Sequence, residues 1–183
     1  EEEFAERIKN NTLLEVTNNV PVHKGDVFFI ESGTLHAIGK GILIAEIQQN
    51  SNTTYRIYDY GRVGADGKPR QLHIDKAVEV TDRIPPKYPT TAQGAPENVA
   101  GGVKTLLRSC EYFNVNKLEI DGAMKLNADD KSFKSLLFLD GKAEIVSADG
   151  KAAAVKGDSF FVPAGSGEFT ITGKCEVILS DII

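Results

Sequence analysis

This 183-residue chain predicts a mainly β fold with a short helical lead-in. Three observations carry that reading. From Val22 onward, short runs of Val, Ile, Phe and Tyr alternate with Gly, Asp and Asn. One strand-and-turn unit occurs twice, and the helix-period stretch is confined to the start. Many short strands with turn signals between them point to a β-sandwich or barrel.

The lead-in spans Glu2 to Val20, where Phe4, Ile8, Leu13, Leu14 and Val16 recur at roughly helical spacing. A polar break at Lys9-Asn10-Asn11-Thr12 interrupts it, Thr12 with Glu15 three residues on suits a cap for a second short helix, and Pro21 ends it. The expected strands follow at Val27–Ile30, Ile42–Gln48 and Tyr55–Tyr60. Later ones are Thr105–Arg108, Tyr112–Ile120, Phe133–Leu139, Ala143–Ser147, Ser159–Val162, Glu168–Ile171 and Cys175–Leu179. Between Arg83 and Gly102 lie four of the seven prolines, with Gly94, Gly101 and Gly102, so that stretch reads as an extended connector. The expected division is 1–84, a connector over 85–102, and a second β-rich piece over 103–183.

Composition excludes several classes. Hydrophobic residues make up 41% and charged residues 26%, as in soluble globular domains. Lys and Arg total 21 against 26 Asp and Glu, a formal charge of −5, which argues against nucleic acid because phosphate neutralisation needs clustered positive charge. No run approaches the ~20 apolar residues of a membrane span, and no charged-then-apolar leader opens the chain. Cys110 and Cys175 read as two reduced thiols of a cytoplasmic protein. Because the chain opens at Glu1, without Met and inside an acidic helical pattern, the expectation is a fragment or a processed product.

The repeat aligns Lys24-Gly25-Asp26-Val27-Phe28-Phe29-Ile30-Glu31-Ser32-Gly33 with Lys156-Gly157-Asp158-Ser159-Phe160-Phe161-Val162-Pro163-Ala164-Gly165. Each copy has a Gly-Asp turn, a four-residue apolar strand and a small-residue turn ending in Gly, which suggests two related barrels. The run G-D-x-x-x-x-[PE]-x-G-x-x-H, complete from Gly25 to His36, resembles the second conserved motif of the cupin superfamily, whose double-sheet barrels often hold a metal in the lumen. The second copy has Glu168 in place of the histidine. The resemblance therefore implies cupin-like (jelly-roll) barrels, the first metal-binding and the second a non-catalytic companion.

Of the three histidines, His23 and His73 read as surface residues or residues lying behind a site. His36, after the Gly33-Thr34 turn, takes the lumen position of the cupin motif. In Leu43-Ile44-Ala45-Glu46-Ile47-Gln48, alternation puts Glu46 and Gln48 on one face. In Thr54 to Tyr60 it separates Tyr55, Ile57 and Asp59 from Arg56, Tyr58 and Tyr60. A solvated face and a sugar-binding wall both fit those patterns.

The run from Gly25 through Gly39, then Ile44 through Tyr60 and Leu72 through Ala77, resembles class I mannose-6-phosphate isomerase, and most of all the short form of Gram-positive bacteria. The resemblance covers the chain but only the C-terminal part of the family's length. It implies that His36 matches the last of four zinc ligands, the others lying upstream of Glu1. It also implies that Arg56 and Glu46 match active-site residues. Asn52 replaces the Asp of many relatives, and Ile38 the Tyr of longer ones. The implied activity interconverts mannose 6-phosphate and fructose 6-phosphate through a zinc-assisted cis-enediol, with the fragment alone inactive. Expected partners are the sugar phosphate and the missing N-terminal part, with association through exposed sheet edges. The competing reading is a non-catalytic cupin module that binds a sugar or a protein. Its support is the incomplete metal set and a Gly- and Ala-rich second half with no ionisable cluster.

Overall fold

The computed structural model describes residues 2–51, 53–60 and 62–182. The chain divides into two compact units. The first comprises Glu1–Lys24, Phe28–Ile44 and Asn50–Pro89; the second comprises Gly25–Val27, Ala45–Gln49 and Thr90–Ile183.

The first unit is built on two short helices, α1 (Glu2–Lys9) and α2 (Ile74–Val80), with a 3₁₀ turn at Leu13–Val16. In α1, Glu2 and Glu3 stand in the first turn and Arg7 and Lys9 in the last, which complements the helix dipole. Arg7 also pairs with Glu3 at 3.0 Å and with Glu15 at 3.3 Å. The lead-in breaks after Lys9 as expected, but helical structure ends at Val16 rather than Val20. Thr12 takes the cap position without a side-chain hydrogen bond. Helix α2 was not anticipated, although Ile74, Ala77 and Val78 have the i, i+3, i+4 spacing that places one apolar stripe inward. The core of this unit is Ile8, Leu13, Ile57 and Ala77, with Phe4, Tyr58, Ile74 and Val78 packed against it.

The strands expected at Val27–Ile30, Ile42–Gln48 and Tyr55–Tyr60 do not form. In the first unit, the pairing among the described residues is limited to isolated bridges, Thr34 with Asp82 and Val63 with Pro69. The physical reason is that a strand exists only through a partner: β-branched and aromatic residues fit a pleated surface but do not supply one. Leu43 is accordingly 90% exposed, and Phe28, Ile30, Ile38 and Ile44 are all exposed.

The second unit is an antiparallel sheet. Its strands are β1 (Glu97–Val99), β2 (Gly102–Ser109), β3 (Phe113–Ala128), β4 (Lys134–Ser147), β5 (Gly150–Val155), β6 (Ser159–Val162) and β7 (Gly167–Ile182). The order is β1-β2-β3-β7-β4-β5, with β6 on β4. Strand β1 falls inside the stretch read as a connector. Alternate residues of β3, β4 and β7 point into one core containing Leu118, Ile120, Leu136, Phe138, Ile171 and Val177. The repeat survives in its turns: Gly25 and Gly157 have φ of +99° and +94°, and Gly33 and Gly165 have +89° and +79°. Only the second copy finds a ladder, Ser159–Val162 pairing with Lys134–Leu137 of β4.

One ion pair of the second unit is largely buried. Lys134 Nζ lies 2.5 Å from Asp181 Oδ2, and Asn114 Nδ2 donates to Asp181 Oδ1 at 3.1 Å. Residues 47 positions apart meet because β4 and β7 pair from Ser135↔Ser180 onward. Nothing local in the sequence signals that pairing.

Candidate active site

Arg56 lies in an irregular segment of the first unit that bends at Ile57 and turns through Tyr60, which has φ +55°. Burying Ile57 against Ile8, Leu13 and Ala77 anchors this segment. The peptide of Arg56 is held on both sides by one residue. His73 N–H donates to the Arg56 carbonyl at 2.7 Å, and Arg56 N–H donates to His73 Nδ1 at 3.1 Å. Since Nδ1 accepts, the neutral ring of His73 carries its proton on Nε2. His73 is also the residue from which α2 starts, so the helix fixes the imidazole that fixes Arg56.

The guanidinium of Arg56 is about a quarter exposed, and its Nε lies 3.9 Å from Asp59 Oδ1. Arg70 forks onto the same carboxylate: its Nε donates to Oδ2 at 2.6 Å and its Nη2 to Oδ1. The hydrogen bonds from Arg70, then the charges of Arg70, Arg56 and Arg62, hold the Asp59 carboxyl below its ordinary range. Two guanidiniums therefore lie against one carboxylate and Arg62, stacked over Tyr60, adds its charge from farther off, a local excess of positive charge in a chain that is acidic overall. Beside it lies a cleft of about 170 Å³ lined by Ile57, Tyr58, Asp59, Arg62, Arg70 and Leu72, among others. The sequence reading missed Asp59, Arg62, Arg70 and the part played by His73. Alternation had placed Asp59 on the face opposite Arg56.

His36 is not among the residues lining that cleft. Its Nδ1 lies 2.9 Å from the Thr34 carbonyl oxygen, which can only accept, so Nδ1 bears the proton and Nε2 keeps the lone pair. The turn before it depends on Gly33. A Cβ there would meet the Val80 carbonyl oxygen at 2.8 Å, and Asp82 N–H donates to the Gly33 carbonyl at 2.9 Å. His36 is thus an exposed imidazole with its Nε2 lone pair free on a turn tied to the end of α2. Glu46 is exposed and belongs to the segment Ala45–Gln49 that groups with the second unit. Ile38 is exposed, and Asn52 lies outside the described residues.

Zinc needs three or four protein donors. Among the described residues no group of three or more His, Cys, Asp or Glu side chains is placed to hold a metal ion. His36 offers one donor, so the described residues do not by themselves fit a zinc centre. No described helix is long and apolar enough to cross a membrane. Cys110 and Cys175 are both free thiols.

Comparison with known proteins gives a consistent picture. The sequence model for "Mannose-6-phosphate isomerase, cupin domain" matches residues 102–182. The mannose-6-phosphate isomerase ManA of Bacillus subtilis is 39% identical over 181 residues, 99% of this chain and 56% of that protein. The mannose-6-phosphate isomerase of Streptococcus mutans is 34% identical over 179 residues, 98% of this chain and 55% of that protein. The crystal structure of the mannose 6-phosphate isomerase from Bacillus subtilis superposes with a TM-score of 0.63 at 36% identity, over 72% of this chain and 41% of that one. The chain spans about half the length of the curated relatives it matches.

Proposed function

We infer that this chain, a member of the class I, cupin-type mannose-6-phosphate isomerases, carries the cationic part of an aldose–ketose isomerase site that acts on mannose 6-phosphate. The observation that carries the reading is Arg56: a permanent cation whose peptide is clamped by His73 and whose side chain stands beside Asp59, with Arg62 and Arg70 close by. Moving a proton between C1 and C2 of a sugar passes through a cis-enediol and builds negative charge on oxygen. A guanidinium held in place stabilises that charge without exchanging protons itself. The excess of arginine over carboxylate also suits a dianionic sugar phosphate.

Glu46 is the carboxylate we assign as base or proton relay. Among the described residues, His36 Nε2 is the donor we assign to the zinc that the family implies. On this reading residues 1–84 belong to the catalytic part and 103–183 to the non-catalytic cupin-like barrel, whose sheet is extended by β1 of the 85–102 stretch.

The test is turnover of mannose 6-phosphate to fructose 6-phosphate by the protein that carries these residues. Arg56→Ala is expected to lower kcat/KM by about 10²-fold or more, the usual effect of removing one donor to a developing oxyanion. Arg56→Lys restores charge but not the planar fork, and is expected to recover only part of the loss. An Arg56→Ala protein with wild-type turnover would overturn the assignment.

A further inference from the structure

The second unit holds a polar pocket that the reading of the first unit does not use. It has a volume of about 330 Å³ and is lined by Glu97, Lys104, Leu106, Asn114, Asn116 and Asp181. The sheet builds it. Glu97 pairs with Lys104, Leu106 with Asn116, and Asn114 with Asp181, so β1, β2, β3 and β7 all contribute to one face. The same face of the sheet continues to Leu118 and Val177 of the core.

Two of its polar groups, Asn114 and Asp181, are satisfied within the sheet. Ser109 Oγ donates to Asn114 Oδ1 at 2.6 Å, Asn114 Nδ2 to Asp181 Oδ1 at 3.1 Å, and Lys134 Nζ to Asp181 Oδ2 at 2.5 Å. Asn116 differs. It is only 6% exposed and lines the pocket, yet its carboxamide bonds to no other described residue. Its amide reaches solvent through the pocket rather than being sealed in the interior, so its donor and acceptor stay open to a hydroxylated molecule that displaces water there.

We propose that this pocket binds a small, neutral, polyhydroxylated molecule, a free hexose or polyol, through the Asn116 carboxamide and the Lys104 and Glu97 side chains at its mouth. The charges decide the class. Lys104 and Lys134 balance Glu97 and Asp181, and Lys134 is already committed to Asp181, so an anion gains no net attraction. A carboxamide presents a donor and an acceptor side by side, the complement of vicinal hydroxyls. Leu106 adds an apolar patch for the C–H face of a ring, and the volume lies at the small end of ligand pockets.

The test is calorimetric titration of the full chain with mannose, with myo-inositol and, as the anionic probe, with inorganic phosphate. The expected result is saturable binding of mannose or inositol in the range of about 1–10 mM that inorganic phosphate does not displace. Asn116→Leu is expected to weaken it at least tenfold, and Lys104→Met to weaken it measurably. His36→Ala and Arg56→Ala should leave it unchanged, which separates this pocket from the isomerase reading. Should Asn116→Leu lose its far-ultraviolet signature, Lys104→Met, at an exposed position, carries the comparison alone. The proposal is overturned by the absence of saturable binding of either sugar probe, by displacement of the bound sugar by phosphate, by wild-type affinity in a folded variant, or by loss of sugar binding in Arg56→Ala.

Discussion

Replacing His73 by alanine removes the acceptor for the Arg56 N–H and leaves the rest of the cluster chemically intact. The bond is 3.1 Å long and half-buried. Stranding a buried donor costs about 1–3 kcal/mol, and partial access of water places this case toward the lower end. The second bond of the pair, from His73 N–H to the Arg56 carbonyl at 2.7 Å, uses only main-chain atoms and persists in the variant. Arg56 is therefore loosened rather than released. If its placement matters chiefly in the transition state, a loss of about 1.4 kcal/mol reads as a tenfold fall in kcat with little change in KM.

His73 acts through Arg56, so the experiment must separate positioning from simple loss of fold. The assay is steady-state turnover of mannose 6-phosphate with a thermal unfolding curve for each variant. His73→Asn is the discriminating substitution, because its Oδ1 can accept from the same N–H where alanine cannot. The expected order of kcat is wild type, then His73→Asn, then His73→Ala. Turnover of His73→Ala within a factor of about two of wild type would refute the argument, since that is less than 0.5 kcal/mol of barrier. So would an Asn variant no better than alanine.

Two further outcomes follow from the packing and the charges. The Asp59 carboxyl is lowered from 3.8 chiefly by the hydrogen bonds of Arg70. Its stabilisation is therefore fully present above that value and is lost as pH falls through the lowered one, so the stability gap between wild type and Asp59→Asn should be open at neutral pH and close below 3.8. Tyrosine fluorescence reads it, because four of the five tyrosines, Tyr55, Tyr58, Tyr60 and Tyr88, lie in the first unit; a gap independent of pH would count against the pair. In the second unit, Leu136 is 0% exposed, and Leu136→Ala removes three carbons at about 0.8 kcal/mol each, raised to about 3–5 kcal/mol by the cavity left behind. Urea unfolding followed by circular dichroism should shift its midpoint by about 1.5–2.5 M at a slope of about 2 kcal/mol/M, and a shift under about 0.5 M would mean the interior is not close-packed.

How far the fold could be read differs between the two units for a physical reason. Ser159–Val162 was read to the residue because its apolar run is bounded by turn residues and finds its partner in β4. Strand β5, Gly150–Val155, escaped because three consecutive alanines carry no β signal; its pairing with β4 comes from the sheet. The expected strands Glu168–Ile171 and Cys175–Leu179 are joined in β7 through Gly173, where φ is +152° and a Cβ would meet the Lys142 carbonyl oxygen at 2.5 Å. The runs at 27–30, 42–48 and 55–60 had the composition of strands but no ladder partner among the described residues.

The same absence of pairing explains why Arg56 was legible and its surroundings were not. On an ideal strand, residues i and i+3 point to opposite faces, so alternation separates Arg56 from Asp59. The bend at Ile57 breaks that geometry and lets the two approach to 3.9 Å, while the left-handed turn at Tyr60 brings Arg70 back onto the same carboxylate. His73 reaches the Arg56 peptide only because α2 begins there, and α2 itself is visible in the sequence solely as Ile74, Ala77 and Val78. Residue identity can therefore mark a cation worth attention. What holds it in place is set by departures from regular structure, and those depend on which apolar side chains, Ile57 above all, find a core to enter.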